Sequence, residues 1–204
     1  MDFEKELMTY EKNVQIFSYK SKQGKTPIMF TAVHTVQQLK EDSIKYSEPF
    51  TAAICQYVAN KINGNYLIKS IDNGVDSNSL IVDDFKEVLL KYINDNNIKL
   101  LIDLHGAKAS HNFDVEFGTL SNLTVDLTTQ NTLIDYLKEH GIENVVMNNP
   151  FKGGGITKYI FENTGIDIIQ IEINQRLRNK NKLQECEKLC NALTEFAKKY
   201  TNFH

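Results

Sequence analysis

The 204-residue chain has no stretch approaching the roughly 18 consecutive apolar residues that a membrane helix requires. Its start, MDFEKELMTYEKN, lacks the basic-then-apolar order of a secretory signal, so the expected setting is the cytoplasm, with no membrane partner. Positive charge is not in excess either. Lys and Arg number 23 against 26 Asp and Glu, giving a formal net charge of -3 and a sequence pI near 6.0. No global basic surface is present to neutralise a phosphate backbone, which argues against nucleic acid as a partner. Cysteine is scarce and odd in number, at three. Cys186 and Cys190 lie four apart in a helical-looking segment, and they read as buried free thiols rather than a disulfide framework or a metal pair. Internal repeats, low-complexity tracts and linkers are missing, as are the GxxxxGK[ST] and GxGxxG spacings of nucleotide cradles.

The composition that is present, 41% hydrophobic and 24% charged, is that of an ordinary globular protein with enough apolar material for a sizeable core. The length fits one domain over residues 1–204. Short β-branched runs alternate with amphipathic segments, the pattern of a three-layer α/β fold with a mainly parallel or mixed sheet and helices on both faces. Strands are expected at 14–18, 28–33, 66–69, 99–104, 114–118, 144–147 and 167–173. Helices are expected from Ser47 as N-cap to a stop at Asn63-Gly64, then over 80–94, 127–139 and 181–200. The run Leu100-Leu101-Ile102-Asp103-Leu104 is nearly all apolar, which places it centrally in the sheet, buried on both faces.

Three apolar strands deliver a metal-ligand or acid/base residue at or beyond their carboxyl ends: IMFTAVH at His34, KLLIDLHG at His105, and IDIIQIEIN with Glu172 and Asn174. If these strands are parallel neighbours, the three groups meet in the crevice that open α/β sheets form outside their strand ends. Two imidazoles and a carboxylate can hold zinc with an open position for water, and a further carboxylate can take the water's proton. Glu41, Asp42 and Glu48 all follow His34 and can supply the metal carboxylate, leaving Glu172 as base. Asp103, two before His105, can face solvent, cap a turn, or orient the imidazole.

The strings HTVQQLKEDSIKYSEPFT, IDLHGAKASHNFDVEFGT, KGGGITKYI and IQIEINQRL together resemble the N-formylglutamate amidohydrolase family, whose fold is related to the zinc carboxypeptidases. The resemblance spans roughly residues 28 to 180. It implies a hydrolase with one zinc ion per chain that cleaves the amide bond of an N-acyl amino acid or short peptide by activated water. On it His34 and His105 match the metal histidines, Glu41 matches the carboxylate ligand best with Glu48 and Asp42 as substitutes, and Glu172 matches the general base.

A substrate bearing a carboxylate suits a guanidinium fork, for which Arg176, four residues past Glu172 in IQIEINQRL, is the expected residue, and Asn174, on the same face as Glu172 by strand alternation, can donate to substrate. Lys40, Arg176 and Arg178 are the cations nearest the motifs that could face a developing oxyanion. In KGGGITKYI, Gly154 and Gly155 would let backbone amides approach a ligand, and Thr157 could begin a helix. His111, which has no matching role in the family, and Tyr159, close to the glycine run, are lesser candidates for lining the pocket. The same centre would also serve a carboxypeptidase or another deacylase, which pocket shape decides. A non-catalytic binding protein on the same scaffold would be marked by loss of a ligand or of the base.

Overall fold

In the computed structural model, which describes residues 2–12, 19–40, 43–72 and 74–203, the apolar strands lie where hydrophobicity demands, side by side in one sheet. The strands are β1 (Tyr19–Lys22), β2 (Ile28–Ala32), β3 (Gln38–Lys40), β4 (Ser43–Lys45), β5 (Asn65–Lys69), β6 (Leu100–Ala107), β7 (Val115–Gly118), β8 (Val145–Met147) and β9 (Asp167–Asn174). The helices are α1 (Phe3–Lys12), α2 (Thr51–Lys61), α3 (Asp84–Asp95), α4 (Leu127–Glu139), α5 (Gly155–Thr164) and α6 (Leu183–Thr201). Among the described residues, seven strands form a sheet in the order β1-β5-β2-β6-β9-β7-β8, and β3 pairs with β4 in a separate hairpin. The pairs β5–β2, β2–β6, β6–β9 and β7–β8 are parallel, whereas β1 is antiparallel to β5 and β7 to β9.

Side chains alternate across the strands, so residues of one parity on β6 and β9 share a face. Leu100, Ile102, Leu104, Ile169, Ile171 and Ile173 join the core that also holds Leu7, Ile54, Leu133 and Phe196, from α1, α2, α4 and α6. Leu101 and Ile168 take the opposite face, under Phe85, Leu89 and Ile160 of α3 and α5. Asp103, His105, Gln170 and Glu172 continue that second parity toward the carboxyl ends.

Several expectations are corrected. The strand expected at 14–18 lies outside the described residues, while α1, β1 and the β3–β4 hairpin were not foreseen. Ser47 is not the N-cap of α2; Phe50 holds that place with φ 69°, and the Thr51 hydroxyl donates to the Glu48 carbonyl. Helix α3 starts four residues later than its periodicity suggests, because the Asp83 carboxylate caps the Lys86 amide and leaves Leu80, Ile81 and Val82 exposed in the preceding loop. All three cysteines are buried and free. No helix among the described residues is long and apolar enough to cross a membrane.

Arg178 ties the strand ends together. It is buried, and its Nε, Nη1 and Nη2 donate to the carbonyls of Ile173, Pro49 and Ala107 at 3.0, 3.0 and 2.9 Å. It lies against Gly106, where a β-carbon would fall on the guanidinium. Arg178→Ala strips a charged donor from three carbonyls, and a loss of about 3 kcal/mol or more is expected at one to a few kcal/mol per buried group. Urea unfolding followed by circular dichroism should show the lowered midpoint, and an unchanged midpoint would refute this role for Arg178.

Candidate active site

His34 stands two residues beyond β2, and its carbonyl accepts the Glu48 amide at 2.7 Å. The hairpin β3–β4 leaves and returns between them, so residue 48 comes back to the strand end from which the chain departed. On β6 and β9, parallel register puts His105 directly beside Glu172. The adjacent parallel strands β2, β6 and β9 thus bring His34, His105 and Glu172 to one crevice. This cavity of about 530 Å³ is lined in addition by Glu48, Asp76, Asn78, Phe151 and Gln170.

The two imidazoles face each other through Nδ1 at 3.1 Å, and Glu48 Oε1 lies 3.0 Å from His34 Nδ1. Their other nitrogens are each held by a buried aspartate: His34 Nε2 by Asp76 at 2.9 Å, and His105 Nε2 by Asp103 at 2.9 Å. One ligand atom each of His34, Glu48 and His105 lies within 4.8 Å of the others, a set that could hold a metal ion. Carboxylates on the rear nitrogens are the usual means of fixing imidazole tautomer and aim in a metal site, so the donor chemistry fits. Glu48 is fixed as well: its Oε2 accepts the Gly106 amide at 2.8 Å and its Oε1 the Lys45 ammonium at 2.7 Å.

Burial opposes charge throughout this cluster, and the neighbours decide the outcome. At Glu48 the burial penalty is outweighed by the His34 hydrogen bond and by the charges of His34, His105 and Lys45, which hold the carboxyl at about 2. His105 is pushed up to about 10, because Asp103, Glu172 and Glu48 overcome its burial. Glu172 goes the other way. Its burial, reinforced by Glu48, raises the carboxyl above the usual range despite His105 nearby. Gln170 Nε2 donates to Glu172 Oε1 at 3.1 Å and holds it in place.

Residues 86–178 match the N-formylglutamate amidohydrolase family. The match takes in His105, Gly154 and Glu172 and leaves His34 and Glu48 outside it, and the resemblance seen in the sequence motifs holds. Among solved structures, N-formylglutamate amidohydrolase from Ralstonia eutropha JMP134 superposes with a TM-score of 0.73 at 13% identity, over 92% of this chain and 99% of that one. A bacteriophage poly-gamma-glutamate hydrolase gives 0.62 at 16% identity, over 93% of each chain. A metallo-carboxypeptidase from Burkholderia cenocepacia gives 0.53 at 10% identity, over 96% of this chain and 68% of that one. At such identities the likeness is one of fold, and the fold is the carboxypeptidase-like one. No curated protein sequence matches.

Other expected site residues fall differently. Glu41 and Asp42 lie outside the described residues, and so does the Lys40 side chain. Arg176 does not reach the crevice. It donates to the Phe113 carbonyl at 2.8 Å, pairs with Asp114 at 3.0 Å, and lines a separate groove of about 660 Å³ that contains none of His34, Glu48, His105 or Glu172. The reason is local: β9 ends at Asn174, whose side chain caps a 3-10 turn over Gln175–Leu177, so strand alternation no longer applies at 176. Asn174 is fully committed too, its Nδ2 donating to the carbonyls of His111 and Phe113. Gly154 and Gly155 border the site through protein contacts: their amides donate to Gln170 Oε1 and the Asn78 carbonyl, each at about the 2.7–2.8 Å of a good hydrogen bond. Thr157 does not begin α5, which Gly154 caps; it is buried in the first turn. Tyr159 packs on the core under α3 and α5 instead of lining the crevice.

Sequence reasoning missed Asp76, Asn78 and Gln170. Asp76 sits in a loop whose DNGVDSNS composition reads only as turn chemistry. That loop is pinned from beneath by two buried ammonium groups: Lys69 donates to the Val75 carbonyl and Ser77, and Lys86 to the carbonyls of Ser79 and Ile81. Calorimetric titration of the metal-free protein with zinc should find one site, lost in His34→Ala and Glu48→Gln and weakened about 10- to 100-fold in Asp76→Asn, the usual cost of losing a partner behind a ligand imidazole. Undiminished zinc affinity in Glu48→Gln would contradict the grouping.

Proposed function

We propose that the protein is a zinc-dependent amidohydrolase of the cytoplasm, folded as one domain over residues 1–204. It cleaves the amide bond of an N-acyl amino acid, N-formyl amino acids among them, or of a short peptide bearing a carboxylate. One zinc ion per chain is held by His34, His105 and a glutamate, for which Glu48 is favoured over Glu41 because its oxygens lie 3.0 Å from His34 Nδ1 and 3.8 Å from His105 Nδ1. The observation that carries this reading is the convergence of the two imidazoles, each backed by an aspartate, beside a buried glutamate that is not part of the ligand cluster.

Zinc bound there would lower the pKa of water and polarise a substrate carbonyl. The chain itself supplies the rest. Glu172 borders the crevice, and burial has raised its proton affinity, so it suits a group that takes a proton from the attacking water and returns it to the leaving amine. Gln170 keeps that carboxylate aimed, and Asn78 holds the start of α5 over the same wall through the Ile156 amide and the Gly155 amide. Asp103 and Asp76 accept the Nε2–H of the two imidazoles, so that with a metal ion bound the Nδ1 lone pairs would be the ones turned to it.

Zinc-loaded protein should hydrolyse N-formyl-L-glutamate or another member of a panel of N-formyl and N-acetyl amino acids and dipeptides, read by release of the free amine. Glu172→Gln should keep its zinc while losing about 10²- to 10⁴-fold in kcat, the range for a positioned acid/base. Absence of turnover across the panel with zinc bound, or a Glu172→Gln variant as active as wild type, would rule the proposal out.

A further inference from the structure

The chain has only two arginines, Arg176 and Arg178, and neither is available to a substrate in the crevice. Arg176 is turned to Asp114 in the other groove, and every side-chain nitrogen of Arg178 donates to a backbone carbonyl. The fork that normally matches a carboxylate is therefore missing from this site, and besides His34 and His105 the basic residues that line it are Lys45, Lys108 and Lys152 with His111. Lys45 is committed to Glu48. Among the described residues, no hydrogen bond or ion pair engages the ammonium of Lys108 or Lys152, and both side chains are exposed.

The loops that carry these groups are built, not loose. Asn174 anchors the loop after β6 by its bonds to the carbonyls of His111 and Phe113, at 3.0 and 2.9 Å. Glu116, on the neighbouring strand β7 and opposite Glu172 in register, anchors the loop before α5 by accepting the Phe151 amide at 2.7 Å. The two loops then meet through rings: His111 stacks on Phe113 with centroids 5.2 Å apart and meets Phe151 edge-on at 5.2 Å. The His111 ring is thereby positioned between the loops that bear Lys108 and Lys152.

We infer that Lys108, His111 and Lys152 form the subsite that binds the carboxylate of the substrate, replacing a guanidinium fork by two ammonium groups and an imidazole. The inference rests on the amidohydrolase reading and names how that site selects its substrate. Ammonium groups act as point charges on flexible stems rather than as a planar fork, so recognition by this subsite depends on the presence of negative charge more than on its geometry, and it weakens with salt.

The test is calorimetric binding of L-glutamate, the amine that cleavage of N-formyl-L-glutamate would release, to zinc-loaded protein, against glutamic acid diamide as the same skeleton without carboxylates. Wild type should bind glutamate, with affinity falling as salt rises, and should not bind the diamide. The double variant Lys108→Met/Lys152→Met should lose about tenfold or more, and His111→Phe, which keeps the ring stack, about tenfold, as expected for charge-assisted contacts. Arg176→Met should stay within about twofold of wild type, since its partners lie elsewhere. No glutamate binding by wild type, equal binding of the diamide, an unaffected double variant, or a weakened Arg176→Met would each overturn the subsite. Because binding is read without turnover, a protein that binds glutamate as described but hydrolyses nothing would support the subsite and count against the hydrolase reading alone.

Discussion

Four carboxylates, Glu48, Asp76, Asp103 and Glu172, are buried around two imidazoles at the carboxyl ends of β2, β6 and β9. Burying a charge is costly unless it is paired, and an excess of like charges in one place is costlier still. The cluster pairs what it can: each imidazole meets one aspartate at 2.9 Å, and Lys45 meets Glu48. What remains is the pair of carboxylates, Glu48 and Glu172, that line the crevice together with both imidazoles. A divalent cation there would offset carboxylate charge, so the electrostatics are consistent with the proposed zinc.

The fold supplies this arrangement through side-chain parity. The parity that buries Leu101 and Ile168 under α3 and α5 carries Asp103, His105, Gln170 and Glu172 upward on the same face. Loops then close the crevice, each fixed by one polar side chain: half-buried Asn78 holds the start of α5, and buried Asn174 and Glu116 hold the loop after β6 and the loop before α5. Glycine at 155 is required by the first of these contacts, since a β-carbon there would strike the Ser79 carbonyl. Arg178, expected near the reacting groups, instead staples the floor on which Gly106 and Glu48 rest.

The strands were legible because burial on both faces leaves uninterrupted apolar runs, and His34, His105 and Glu172 were legible because each ends such a run. The carboxylate nearest the imidazoles was harder. Glu48 is brought back by a hairpin whose three-residue strands carry little periodicity, so spacing along the chain could not separate it from Glu41 or Asp42. Asp76 left no sequence signal, because its role depends on a loop from β5 reaching across to His34. Arg176 was misplaced because nearness to Glu172 along the chain was read as nearness in space, whereas a capped 3-10 turn after Asn174 redirects the chain. In each case the missing information was tertiary: which loop folds back over which strand end.

The central claim is that His34, His105 and Glu48 hold one zinc ion through the Nδ1 atoms, with Asp76 and Asp103 behind them. Diffraction from zinc-loaded crystals on either side of the zinc absorption edge tests it directly. The account predicts a single anomalous peak at roughly 2.0–2.2 Å from both Nδ1 atoms and from a Glu48 oxygen, the usual bond lengths for zinc. A peak at the Nε2 atoms, a carboxylate ligand other than Glu48, or no peak in this crevice would contradict it.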